Sequence, residues 1–409
     1  MSEILLINEI AKAKLGASSS SGGSLAAYSN FKTKVSGAGG LRTRSTESNT
    51  SAMSSSYRRL YHHGSGQFSL NGISYGSTTE VYCYPFQVNQ TTGAITLGTP
   101  SATWSGSSNV DTGNWASLGD VVFRHGTGNG GNIAVGWRVV NNAVSQQTSY
   151  QDNSHQPPTN EEGLISKSGS TYYFSPSVYS TGTGQYQRVV YSYNNGSMSL
   201  PTNTNPSSNT STNYKMHVYR QFGTTDIPHT MGAINWQNSS GYAQFDFMSN
   251  TGSLITTVSG NSLNPDVPAL SGIRGRGFQL SNNTQIYYTF SGQAFTWNGS
   301  SLTDVTSSAD NIPINLSGDS SSVYAVGVNE WIGMSHSTPN EIVRFTINPT
   351  TYKIQIVKSI PLRSVIGSAA SMSTNRSVVA LTGSTNQFLV VGILGSADVN
   401  KIAVIENPF

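Results

Sequence analysis

The chain has 409 residues, of which 36% are hydrophobic and 10% aromatic, only 10% are charged, and the formal net charge is +3. A disordered chain is charge-rich and aromatic-poor, so that class is excluded, and so small a net charge gives no reason to expect a nucleic-acid partner. The 42 glycines, set among Ser, Thr and Asn in every segment, predict an all-β protein with many turns.

At the front of the chain, Ser2 can cap a helix over residues 2–15, with Glu3 and Glu9 toward its start, Lys12 and Lys14 in its last turn and Gly16 stopping it. At about 100° per residue, Ile4, Leu6, Ile7, Ile10, Ala11 and Ala13 form one broad apolar stripe. A helix this short is marginal alone, so the stripe needs either the chain's own body or a partner surface. These six residues are the candidate partner-binding set. Residues 17–56 are Gly/Ser/Thr-rich, which is linker composition, and Leu25, Tyr28, Phe31, Val35 and Leu41 could order against a partner. Residues 1–60 hold eight Lys/Arg against three Glu; with 22 basic and 19 acidic residues in the whole chain, 14 and 16 remain for the rest. A basic arm on a near-neutral body predicts a docking segment, so the expected division is an arm over 1–56 and a body over 57–409.

The start of the chain lacks the basic, uninterrupted apolar pattern of an export signal, and no run of about 18 apolar residues predicts a membrane span. Cys83 is the single cysteine, which suits assembly in a reducing host cytoplasm.

From Tyr57 onward the chain repeats. In Val81–Leu97, VYCYPFQVNQTTGAITL, Val81, Cys83 and Pro85 fall on one side of a strand and Tyr82, Tyr84 and Phe86 on the other, before a loop ending in Gly93. Comparable hairpin loops begin at Asn89, Asn141, Asn194, Asn250, Asn298 and Asn348, in steps of 52, 53, 56, 48 and 50 residues. One more step lands at Asp398–Asn400, between Phe388–Leu394 and Lys401–Ile405. The strands entering these loops are Val135–Val140, Val189–Tyr193, Ala243–Met248, Ala294–Trp297 and Ile342–Ile347, and each repeat has room for two strands before its hairpin. These include Met231–Trp236 in the fourth, Val323–Val328 and Trp331–Met334 in the sixth, and Ala369–Ser373 and Val378–Leu381 in the seventh. Four strands per fifty residues is the pattern of a propeller blade. The expectation is an all-β β-propeller of seven blades, with six as the variant, starting near Gln67–Tyr75 and ending with Ile402–Ile405.

Chemistry motifs are sparse. No H-E-x-x-H, Walker or EF-hand pattern occurs, nor the Asp-box of propeller sialidases. Among the seven histidines only His62-His63 are adjacent, and neighbouring residues on a strand point apart, so they chelate poorly. Glu161-Glu162 lies in a Pro/Asn-rich loop, and Arg274 with Arg276 stands apart from other arginines. Tyr57-Arg-Arg-Leu-Tyr61-His-His63 is the one basic–aromatic patch, read as a strand start or docking patch. Gln151–Glu162 and Asn203–Tyr214 read as protruding loops. No metal, cofactor or catalytic set is expected.

The apolar-striped helix in MSEILLINEIAKAKLG, the Gly/Ser arm and the Thr/Ser/Asn/Gly-rich β body together resemble a tailed-phage virion protein. The hairpin VYCYPFQVNQTTGAITL and the stretch Phe345-Thr-Ile-Asn-Pro-Thr-Thr-Tyr352 resemble the outer hairpin of kelch-type blades, over about residues 60–409. The resemblance implies a non-enzymatic structural protein of the virion, present in several copies. Its arm would join other virion proteins, and its propeller would face outward to meet a host glycan or decorate the particle. A free carbohydrate-binding adhesin and a carbohydrate-active enzyme are the alternatives.

Overall fold

In a computed structural model the described residues are 59–75, 79–106, 113–128, 131–156, 163–182, 186–204, 214–219, 232–237, 243–260, 275–289, 293–309, 323–334, 341–361, 378–382, 388–393 and 401–406. The expected helix at 2–15 lies outside them. All regular structure among them is strand, in six sheets.

The first sheet orders β1 (Arg59–Gly64), β2 (Gln67–Tyr75), β3 (Thr79–Val88) and β4 (Ile95–Leu97), with β5 (Ser101–Gly106) also pairing β3. The second is the meander β6 (Gly113–Leu118), β7 (Val121–Gly128), β8 (Gly131–Val140) and β9 (Ala143–Asp152). The third gathers β10 (His155–Gln156), β11 (Leu164–Ser168), β12 (Thr171–Ser175), β13 (Ser177–Ser180), β14 (Tyr186–Asn194) and β15 (Ser197–Thr204). The fourth has eight strands in two meanders. One comprises β16 (Tyr214–Tyr219), β17 (Gly232–Gln237), β18 (Ala243–Met248) and β19 (Leu254–Ser259); the other β20 (Gly275–Gln279), β21 (Gln285–Thr289), β22 (Ala294–Trp297) and β23 (Leu302–Asp304). The fifth is β24 (Tyr324–Gly327), β25 (Glu330–Met334), β26 (Glu341–Ile347) and β27 (Ile354–Pro361), and the sixth β28 (Val378–Thr382), β29 (Phe388–Ile393) and β30 (Lys401–Glu406).

The architecture is an all-β β-propeller. Leading strands follow one another around it: β1 lies beside β6, β6 beside β11, β11 beside β16, β24 beside β28, and β28 returns to β1. Five of the six sheets have four or more strands, so the structure has five blades where the sequence predicts seven, or six. Two features account for the difference. Met216–Tyr219 of β16 pair in parallel with Gly275–Phe278 of β20, which merges two repeats into one sheet. The last repeat supplies only three strands among the described residues. The first sheet also begins one strand earlier than predicted, at Arg59 rather than near Gln67.

The hairpin loops predicted at Asn89, Asn141, Asn194, Asn250, Asn298 and Asn348 are where they should be, and their chemistry is local; the one at Asp398–Asn400 lies outside the described residues. Asn141 and Asn142 both take positive φ (50° and 60°), as do Asn195 and Gly196 (48° and 80°), giving two-residue turns that match strand twist. In the longer loops the leading Asn accepts from its own backbone. Asn89 Oδ1 takes the N–H of Thr91 and Thr92, both at 2.9 Å, and Asn348 Oδ1 those of Thr350 and Thr351 at 2.8 and 2.9 Å. Gly93 closes the first loop at φ 72°, and Tyr352 stands in the same place in the second at φ 59°.

The core lies between consecutive sheets. Ile73, Val81 and Cys83 of the first pack on Trp115, Val122 and Trp137 of the second. Phe123 of the second stacks on Phe174 of the third at 5.1 Å. Leu164 and Val190 of the third meet Met248 of the fourth. Inside the eight-stranded sheet, Phe247 lies 3.8 Å from Trp297, so its two halves face each other. Trp331 of the fifth sits 5.2 Å from Phe278 of the fourth and 6.1 Å from Phe345. Val404 of the sixth closes onto Leu60, Phe68 and Phe86 of the first.

Trp331→Ala should empty one whole seam, because the ring is fully buried, and cost about 3–5 kcal/mol in denaturant unfolding. Asn89→Ala leaves two turn N–H groups without their acceptor and should cost about 1 kcal/mol on the same measurement.

Candidate functional site

Several buried or half-buried polar side chains lie where sheets meet. On β1, alternation sends His62 and His63 to opposite sides. The His62 ring stacks on Phe68 at 4.5 Å, and its Nδ1 lies 3.0 Å from the hydroxyl of Tyr324 on β24. His63 Nδ1 lies 2.7 Å from the Gly119 carbonyl and its Nε2 2.7 Å from Ser69 Oγ. A carbonyl only accepts, so Nδ1 carries the proton and Nε2 accepts from Ser69. Ser69 Oγ in turn accepts from Asn71 Nδ2 at 2.8 Å. Burial, then the neighbouring His63, lowers His62 to about 3. Burial also lowers His63 to about 4, against the raising effects of the Gly119 carbonyl and Asp120. Both rings are therefore neutral bridges at pH 7, joining the first sheet to the fifth and second. This is a joint rather than a chelating pair; the patch is the start of β1, as one of its two readings expects, with Arg59 4% exposed and residues 57 and 58 outside the described residues.

A second joint surrounds Asp152, at the end of β9. Its Oδ1 accepts from the backbone N–H of Ser154 and His155 at 3.0 and 3.2 Å, and its Oδ2 from His155 Nδ1 and the Tyr191 hydroxyl, both at 2.7 Å. Burial alone would raise the Asp152 carboxyl, but the bonds from His155 and Tyr191 outweigh it and hold it below its ordinary value. Tyr191 is pushed well above its ordinary value, by burial first and then by Asp152. An Asp–His pair can orient a general base; here Asp152 and His155 are 4% and 2% exposed. The trio ties β9 and β10 to β14. This corrects the expectation that Gln151–Glu162 protrudes as one loop: Gln151 and Asp152 end β9 and His155 and Gln156 form β10, with a two-residue bend between them, while 157–162, with Glu161 and Glu162, lie outside the described residues.

Nearer the surface, Asp120 in the β6–β7 turn accepts from Arg138 Nε at 2.7 Å and, on its other oxygen, from the Tyr172 hydroxyl of the third sheet at 3.1 Å. Arg344 donates to both oxygens of Glu330 from Nε and NH2, at 2.8 and 3.0 Å, the bidentate form of the pair. In both pairs an acid at the start of the second strand meets an arginine on the third.

The remaining residues singled out by sequence fall as follows. Ile4, Leu6, Ile7, Ile10, Ala11 and Ala13 lie outside the described residues, as does Arg274. Arg276 is buried on β20. Of Asn203–Tyr214, the ends belong to β15 and β16 and residues 205–213 are outside the described set. Cys83 is fully buried, and burial pushes its thiol up to about 12, so it is no nucleophile at neutral pH. Among the described residues, no group of three or more His, Cys, Asp or Glu could hold a metal, and no helix is long and apolar enough to cross a membrane. Sequence reading missed the His62–Tyr324 and Asp152–Tyr191 contacts; only the short D-x-x-H spacing of Asp152 and His155 carried a local signal.

No protein-family model and no curated protein matches the sequence. Solved structures similar to it include U3-55K (12% identity, TM-score 0.42, covering 90% of this chain and 98% of that one). Sqt1 of Saccharomyces cerevisiae is similar at 11% identity and TM-score 0.44, with the same coverages. The Dos1 propeller is similar at 7% identity and TM-score 0.44, covering 90% and 95%. Scores at this level carry no argument about function.

The histidine joint sets a pH dependence. The unfolded chain takes up protons on His62 and His63 near pH 6.5, whereas the folded chain does so only near 3 and 4. Stability should therefore be full above about pH 7 and fall as pH drops toward 4. The slope approaches about 1.4 kcal/mol per pH unit for each ring. His62→Phe keeps the stacking but has no nitrogen to titrate, and should remove its share, about half, of that slope in urea unfolding followed from pH 7 to 4, leaving the share of His63.

Proposed function

We propose that this chain is a non-enzymatic binding and structural protein, and in particular a structural protein of a tailed-phage particle. The observation that carries the first part is the use made of its chemically capable side chains. His62, His63, Asp152 and His155 are committed to joints between sheets, and the Asp120–Arg138 and Glu330–Arg344 pairs to bracing strands. A propeller body assembled this way offers surface for protein or glycan contact, a use consistent with its fold. The virion assignment rests on the sequence: an apolar-striped helix over 2–15 and a Gly/Ser arm ahead of the body. In this reading Ile4, Leu6, Ile7, Ile10, Ala11 and Ala13 grip another virion protein, the chain is present in several copies on the particle, and a host-surface glycan is the ligand of the exposed body.

Deleting residues 2–16 should leave a body with the unfolding midpoint of the full chain that no longer co-sediments with phage particles. Continued incorporation of the truncated chain would overturn the anchor. Turnover of envelope polysaccharide by the purified chain, abolished by replacing one carboxylate, would overturn the non-enzymatic reading.

A further inference from the structure

The outer strands of the sheets differ in what they show to solvent. β27, IQIVKSIP, ends the fifth sheet and pairs only with β26 among the described residues. Gln355, Ile356, Val357 and Ser359 are exposed along it, and Ile356 and Val357 each show 42% of their surface. The register shifts at this point: Phe345 pairs with Ile356 and Arg344 with Lys358, so Val357 is the extra residue of a bulge. A bulge re-aims side chains and twists an edge away from flat self-pairing. It does not account for two adjacent aliphatic side chains left in water beside the outward N–H and C=O groups of an edge strand.

Charge says what would cover it. Residues 342–361, the β26–β27 hairpin, hold Arg344, Lys353 and Lys358 and no acid. Of the 14 basic and 16 acidic residues in 61–409, the hairpin takes three basic ones, leaving 11 against 16 elsewhere. Among the outer strands β4, β9, β15, β19, β23 and β27, only β27 carries a basic side chain. Glu330 engages Arg344. Lys353 is exposed, and Lys358 lies opposite Arg344, with burial and then Arg344 lowering its pKa. A carboxylate set against Lys358 would ease that repulsion. A second copy of β27 would bring more basic residues to a basic edge, so like charges oppose self-pairing. The register also fixes a pattern. Ile354 and Ile356 pair with Ile347 and Phe345, which belong to the buried core, while Gln355 and Lys358 pair with Thr346 and Arg344 on the other face. A strand laid along β27 matches it with aliphatic residues on the first face and acids on the second.

We infer that the outer edge of β27 is a strand-accepting site for an extended segment of a partner protein in which acidic and aliphatic residues alternate. Main-chain bonds along the edge supply the affinity, and Lys353 and Lys358 select the charge. The site lies on the body, apart from the stripe of Ile4, Leu6, Ile7 and Ile10, and does not depend on what that stripe grips.

The probe is a hexapeptide alternating Glu and Val, titrated into the full chain and followed by backbone hydrogen exchange over residues 354–360. It should slow exchange of the outward-facing β27 amides. A Lys–Val hexapeptide should not, because the edge repels it, nor should the Glu–Val peptide N-methylated at every residue, which has no N–H to give the ladder. Reversing both charges, with Lys353→Glu and Lys358→Glu, should weaken the acidic peptide about tenfold and make the basic peptide the better ligand. A switch in preference is a gain that misfolding does not produce. The assignment is overturned if the outward β27 amides are already protected in the free chain, or if the acidic peptide leaves them unprotected. Equal protection by the basic or the N-methylated peptide, or a preference that survives the charge reversal, would also overturn it. So would protection that rises with protein concentration alongside a dimeric mass, which makes the occupant a second copy. Deleting residues 2–16, the test of the virion anchor, should leave peptide binding as it was, so the two readings fail separately.

Discussion

A four-stranded twisted sheet with apolar residues on both faces cannot cover itself. In the first sheet, Ile73, Val81 and Cys83 belong to one buried cluster, and Leu60, Phe68 and Phe86 to another. Each cluster needs a sheet on the other side, and each of those sheets then has the same need. Sequential stacking ends only when the last sheet meets the first, as Val404 meets Leu60 and Phe68. The closed arrangement, the radial core and the crowding of aromatic rings at seams all follow from that need.

The same constraint governs the polar groups. A seam buries whatever lies along it, and a buried polar atom without a partner costs about as much as a lost hydrogen bond gains. His63 meets this by donating to a carbonyl of the next sheet and accepting from Ser69. Asp152 meets it with four donors, two of them side chains, both from the neighbouring sheet. Groups that look chemically capable in a list of residues thus serve to lock sheet against sheet. What the body turns outward is polar turns and outer strands, where Leu97, Leu254, Ile255, Ile356 and Val357 are the large apolar side chains showing 40–42% exposure.

The blade count illustrates how far periodicity reaches. A step near fifty residues correctly marks the outer hairpins, because each is written within a few residues. Asn348, for example, accepts from Thr350 and Thr351 and needs nothing from elsewhere. Periodicity does not say whether two successive repeats stay separate. The parallel pairing of Met216 with Gly275 decides that, and nothing in either segment alone distinguishes it from an ordinary seam. The reading of Gln151–Glu162 as one exposed loop fails for a related reason. Its polarity suggested solvent, yet Asp152 and His155 are polar because they bond to each other and to Tyr191.

The sequence by itself determined the fold class, the positions of the described hairpins, and the alternation of Val81 and Cys83 against Tyr84 and Phe86. All of these rest on interactions between residues a few positions apart. Only the tertiary structure decided which sheets fuse, that His62 bridges to Tyr324, 262 positions away, and that the histidines are neutral joints rather than ligands. Those outcomes depend on which surfaces meet when the ring closes, and on the desolvation that closing imposes, and neither is encoded within a single repeat.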